Sequence, residues 1–131
     1  MKGIDTNVLV RYLVQDDPEQ AELATAYLQD INSKRETCFI NNIVLCELVW
    51  GPQTAYKLSR TEIIATLEML LKTNIFEFEN KEAAWWSLRQ MKQGKADFSD
   101  YLIGKLNTSA GCIDTVSFDS KLKGVEGFSS L

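Results

Sequence analysis

"MKGIDTNVLV", residues 1–10, sets an aspartate between two apolar runs. Residues 1–4 read as a very short strand leading into Asp5. Behind it, "VLVRYLV" has helical spacing, with Val8, Leu9, Tyr12 and Leu13 on one face. A strand, an acid and then a helix is how an α/β unit begins. In parallel α/β sheets, ligands bind beyond the carboxyl ends of the strands. Asp5 stands at such an end. Aspartate is also a good N-cap for the helix that follows, and the two roles are compatible.

The alternation continues along the chain. "DDPEQAELATAYLQDI" reads as a helix with Pro18 in its first turn. "ETCFI" reads as a strand, and "NNIVLCELVW" as a helix opened by an Asn cap and interrupted at Gly51-Pro52. Residues 61–72 form an amphipathic helix, and "NIFEF" is a strand. "NKEAAWWSLRQMKQ" is a helix ended by Gly94, and "DFSDYLIGKLNTSA" one ended by Gly111. "CIDTVSF" is a strand followed by Asp119, and "VEGFSSL" supplies a last short strand. The pattern predicts an α/β sandwich with a mainly parallel sheet. Neither repeats nor low-complexity tracts are present.

The length of 131 residues fits one domain, 1–131, able to bury a core without disulfides. Lys and Arg number 14 against 18 Asp and Glu, a net charge of −4. Bulk charge therefore argues against a protein that coats nucleic acid, though a local basic groove remains compatible. There is no histidine. Histidine-based triads and zinc–histidine sites are excluded, so chemistry falls to carboxylates, hydroxyls, lysines or a metal held by oxygen. Cys38, Cys46 and Cys112 are odd in number, form no CxxC and lie in apolar runs. They read as buried thiols in a reducing cytosol. No apolar stretch approaches the roughly 18 residues of a membrane span, and "MKGID" does not suit a signal peptide. The expected location is cytoplasmic.

Further acids stand in unusual places. Glu47 lies at i+4 from Ile43 and i+3 from Val44, with Trp50 three residues on, so it projects from an apolar helix face. If buried, its carboxylate needs a lysine, a hydrogen-bond network or a metal as partner. The alternative is an exposed edge beside a groove. Asp97 and Asp100 share a helix face at i and i+3. Gly104 falls on that face at i+4 from Asp100, where it would leave space before the carboxylate. D-x-x-D also resembles a capping box, which would account for Asp97. Asp119 follows a strand as Asp5 does, with Ser117 just before it; turn formation is its ordinary role. Four converging carboxylates require protons or cations between them. An oxygen-only site suits Mg²⁺ or Mn²⁺, which lowers the pKa of bound water and neutralises phosphate.

"GIDTNVLVRYLV", "NNIVLCELVW", "KADFSDYLIGKLNTSAGC" and "TVSFD" together resemble the four signature blocks of the PIN domain, in order and with its spacing. The resemblance covers essentially the whole chain, and the small size looks most like the VapC toxins of toxin–antitoxin pairs. It implies a three-layer α/β/α sandwich and a metal-dependent endoribonuclease using one or two Mg²⁺ or Mn²⁺ ions. By motif, Asp5, Glu47, Asp100 and Asp119 fall on the family's acidic quartet, and Asp97 on an additional acid often present one turn earlier. Thr6, Asn7 and Ser117 match supporting polar positions. The resemblance also implies an RNA substrate, a VapB-like antitoxin peptide in a groove near the first two helices, and a homodimer. Gly51-Pro52 departs from the family pattern and puts the length of that helix in question.

Arg11, Lys95, Lys105, Lys121 and Lys123 lie near the acidic blocks and could line a phosphate path; each is otherwise a solvated surface residue. Most of Leu9, Tyr12, Leu13, Leu23, Tyr27 and Leu28 is expected in the core. Rival readings are weaker. A haloacid-dehalogenase-type phosphatase needs a second Asp where Asn7 stands, and a receiver domain needs an acidic pair that "DTN" lacks. An RNA-processing nuclease outside toxin–antitoxin systems, and a catalytically silent PIN-like binding module, remain as alternatives within the fold.

Overall fold

The computed structural model describes the backbone of residues 1–55 and 58–131, and the side chains of all of these except 52–55. The chain divides into two compact units, Met1–Lys81 and Glu82–Leu131.

The first unit alternates strand and helix. It runs β1 (Lys2–Gly3), α1 (Thr6–Val14), α2 (Pro18–Ser33), β2 (Cys38–Ile40), α3 (Asn42–Ala55), α4 (Arg60–Lys72) and β3 (Phe76–Phe78). The strands form a parallel sheet in the order β1-β2-β3. Parallel strands need crossovers, and the helices supply them. The helix starts are fixed by side chains. Asp17 accepts from the Gln20 amide at 3.1 Å, with Pro18 behind it in the first turn. Asn41 Oδ1 accepts from the Val44 amide at 2.9 Å. Ser59 and Glu62 close a reciprocal capping box that begins α4 one residue before the expected start. The core gathers Leu9, Leu28, Cys38, Ile40, Leu45 and Leu67, all buried. Tyr12 meets Phe76 edge-on, with ring centroids 6.4 Å apart.

One expectation is corrected here. α3 does not stop at Gly51-Pro52 but runs on to Ala55. A helix-interior proline removes one donor and costs about 3 kcal/mol, and the buried side chains of Val44, Leu45, Leu48 and Val49 hold the preceding turns in place. The side chain of Pro52, and with it any effect on groove shape, lies outside the described residues.

The second unit holds α5 (starting at Lys81 and ending at Gln93), α6 (Phe98–Ser109), β4 (Thr115–Ser117), a 3₁₀ turn (Ser120–Leu122) and β5 (Phe128–Ser130). β4 and β5 pair in parallel. The core here is Leu88, Phe98, Tyr101, Leu102 and Leu122. Tyr101 packs edge-on to Trp86 at 6.3 Å, and its hydroxyl accepts from the Ala96 amide. Every strand pair in the described residues is parallel, so the α/β class read from the sequence holds.

Gly104 has a different task from the one expected. A Cβ at this position would collide with the ring of Phe128, which fills the space over α6. The glycine makes room for β5 packing and not for a ligand before Asp100. Gly104→Ala is expected to lower unfolding stability by about 1–3 kcal/mol, because the ring cannot be displaced without repacking. A urea titration reads this directly, and an unchanged midpoint would overturn it.

Candidate functional site

Asp5 follows β1 and begins α1. Its Oδ1 accepts from the Val8 amide at 3.1 Å. The carboxylate is exposed, and one oxygen suffices for the cap, so the second can serve a ligand. Thr6 and Asn7 form the first turn of α1.

Glu47 lies midway along α3 and is exposed. The expectation that an apolar face would bury it is corrected. Its face is apolar but open: Ile43, one turn before, and Trp50, one turn after, are each 69% exposed. The buried face of α3 carries Val44, Leu45, Leu48 and Val49 instead. The edge-of-groove alternative is the one found.

That groove is explicit. Asp5, Thr6, Asn7, Val10, Arg11, Glu47 and Gly51 line one open hollow of about 430 Å³. Two of the sequence-derived acids therefore share a cavity with two of the three supporting polar residues, Thr6 and Asn7. Arg11 is the cation beside them. Its Nη1 sits 2.8 Å from Asp16 Oδ1, and its Nε donates to Gln20 Oε1 at 2.7 Å. The guanidinium is thus held by α2 and its lead-in rather than presented as an unattached phosphate ligand. Neither Asp16 nor Gln20 was singled out from sequence; polar residues five and nine positions along give no periodic signal.

A second hollow, of about 690 Å³, shares Asp5, Asn7 and Arg11 and extends to Gln20, Leu23, Ala24 and Tyr27. Leu23 and Tyr27 are 67% and 40% exposed, so they are not core as expected, whereas Leu9 and Leu28 are.

The other acids belong to the second unit. Asp97 precedes α6 and Asp100 lies in its first turn. The Asp97 amide donates to Asp100 Oδ2 at 3.1 Å, so the capping reading of D-x-x-D is real. Asp100 is half-buried. Burial pushes its carboxyl above the usual range, and the negative charges of Asp97 and Asp119 push the same way. The Asp97 amide and the Lys121 charge partly offset this. Asp119 caps the 3₁₀ turn, accepting from the Lys121 amide at 2.9 Å, while its own amide donates to Ser117 Oγ at 3.0 Å. The charges of Asp97 and Asp119 therefore act on Asp100, and Ser117 Oγ holds the Asp119 backbone amide. Lys95, Lys121 and Lys123 are exposed, while Lys105 stands 5.3 Å from the Trp86 ring centroid, a cation–π contact.

Asp5 and Glu47 offer anionic oxygen donors in one hollow, the kind of donor a hard divalent cation takes. Among the described residues, no group of three or more His, Cys, Asp or Glu stands close enough to hold a metal. Asp5 and Glu47 belong to the first unit, and Asp97, Asp100 and Asp119 to the second. The cysteines take no part. Only Cys38 is buried; Cys46 is half-buried and Cys112 exposed, against the expectation of three buried thiols. Among the described residues, no helix is long and apolar enough to cross a membrane.

Parallel strands joined by helices define an α/β protein, and its first unit sets Asp5 and Glu47 in one hollow. The chain belongs to the PIN domain family, whose model matches residues 3–127. It is also similar to the VapC ribonuclease of Aquifex aeolicus (strain VF5), at 27% identity over 123 residues, covering 94% of this chain and 90% of that protein.

Proposed function

We propose that this protein is a divalent-metal-dependent endoribonuclease, acting as the toxin of a VapBC-type pair. The observation that carries the reading is the hollow in which Asp5 and Glu47 stand together with Thr6 and Asn7. Family membership and the likeness to a VapC ribonuclease support it. Residues 1–131 would work as one domain, a reading supported by a family model that runs across both units.

Asp5, Glu47, Asp100 and Asp119 would hold one or two Mg²⁺ or Mn²⁺ ions, with Asp97 adding negative charge. A divalent ion in such a site supplies Lewis acidity and an activated water at neutral pH. The chain's own part is to place carboxylates. Asp5 is fixed by its cap, Glu47 by its place along α3, and the Asp119 backbone by Ser117. Lys95, Lys105, Lys121 and Lys123, with Arg11 already held by Asp16 and Gln20, would be weak phosphate contacts. The hollow that reaches Leu23 and Tyr27 suits an apolar antitoxin peptide. We read the protein as a cytoplasmic homodimer.

The test is cleavage of a labelled structured RNA with Mg²⁺, with Mn²⁺ and with EDTA, beside Asp5→Asn. Asn can still cap α1, so this variant is expected to fold normally. Metal-dependent cleavage lost in Asp5→Asn is the expected result. Cleavage that survives EDTA or the substitution would sink the assignment.

A further inference from the structure

The face of α3 that carries Glu47 also carries a large exposed aromatic ring. Trp50 is three residues on, one helical turn away on the same side. It is 69% exposed. Its sequence neighbour Gly51 lines the acidic hollow together with Glu47 and Asp5. With Ile43, also 69% exposed and one turn before Glu47, it gives that side of α3 an exposed apolar surface. Building on the nuclease reading above, we infer that Trp50 is a stacking platform for one unpaired base of the RNA, next to the phosphate held at the hollow.

Three observations favour a base over other occupants. The first is continuity: Glu47 and Gly51, which flank Trp50 in sequence, are both walls of the hollow. The second is charge. The protein carries −4 overall, and Arg11 is engaged by Asp16 and Gln20. Counterion release can supply little affinity, so an uncharged contact must supply more of it. Stacking on an aromatic ring does so for any base, because every base has a flat face. The third is the neighbouring carboxylate. Glu47 beside the ring disfavours an acidic peptide there, whereas a neutral base on the ring and a phosphate at the metal divide one nucleotide between the two features. Trp50 touches the base and not the reacting atoms, so it is a positioning residue.

The test compares wild type, Trp50→Ala and Trp50→Phe on one cleavable RNA and on copies of it made abasic at single positions around the cut. For intact RNA, Trp50→Ala is expected to raise KM about tenfold or more, with kcat within about twofold, and Trp50→Phe to recover most of the loss. One abasic position should raise KM for wild type and leave Trp50→Ala indifferent. Binding is read in parallel in EDTA, as quenching of tryptophan fluorescence, which does not depend on cleavage. Quenching by intact RNA should fall in Trp50→Ala and with the abasic copy.

The outcomes separate the two readings. If wild type neither cleaves nor binds RNA, both fall. If wild type cleaves but no abasic position distinguishes it from Trp50→Ala, the stacking role alone is overturned. If Trp50→Ala instead changes oligomeric state on light scattering and loses all copies equally, the ring is a protein–protein contact and the inference is wrong. Should Trp50→Ala fail to fold, Trp50→Phe and the wild-type abasic series still decide: a wild type indifferent to every abasic position overturns the proposal.

Discussion

Replacing Glu47 by Gln is expected to lower RNA cleavage by about 10³-fold and to leave the melting temperature unchanged. Both halves follow from where the residue sits. Glu47 is exposed on α3, so the substitution breaks no core contact, and surface changes of this kind stay within about ±0.5 kcal/mol. Glutamine keeps the length and shape of the side chain and removes only the charge. If Glu47 is a ligand, that charge is the part that matters, because hard divalent cations take anionic oxygen. Calorimetry supplies a second readout: Mn²⁺ affinity should fall with activity. A variant that cleaves at the wild-type rate would remove Glu47 from the site. A large drop in melting temperature would show that Glu47 has a structural partner instead.

α3 shows where the sequence was informative and where it was not. Its beginning was legible, because Asn41 caps by a short-range hydrogen bond that sequence position alone predicts. Its orientation was not. Val44, Leu45, Leu48 and Val49 make one apolar face, and Ile43 and Trp50 make a second. A helix apolar on both sides gives periodicity no means of choosing which side is core. That ambiguity made Glu47 look buried and hid Trp50. α2 posed no such problem, since Asp17 and Pro18 fixed its start and Ala21, Ala24, Leu28 and Ile31 marked a single buried stripe. Gly104 failed for another reason. Its neighbour Phe128 is distant in sequence, and only tertiary structure puts the ring over the glycine. The acids themselves were legible, because Asp5 and Asp119 follow strands and both ends are local features. Their hydrogen-bonded roles agree with that reading.

Asp100→Asn should separate activity from stability, with opposite signs. Cleavage is expected to drop by at least about 10²-fold, and the melting temperature at pH 7 to rise. Asp100 is half-buried, and burial together with Asp97 and Asp119 holds its carboxyl above the ordinary value. In the window between the unfolded and folded values, the folded protein keeps a proton that the unfolded chain has released. Stability therefore falls as pH rises through that window, and the full loss persists at neutral pH. Asparagine cannot ionise, so the variant escapes the loss. Its Oδ1 can still accept from the Asp97 amide, which preserves that half of the cap. Well below about pH 4, where the wild-type carboxyl is protonated in both folded and unfolded states, the two melting temperatures should converge. Mg²⁺ adds an independent check: a cation that offsets the repulsion among Asp97, Asp100 and Asp119 should stabilise wild type more than Asp100→Asn. A variant less stable than wild type at pH 7, or a difference that persists unchanged into acid, would mean that Asp100 contributes to folding as an anion.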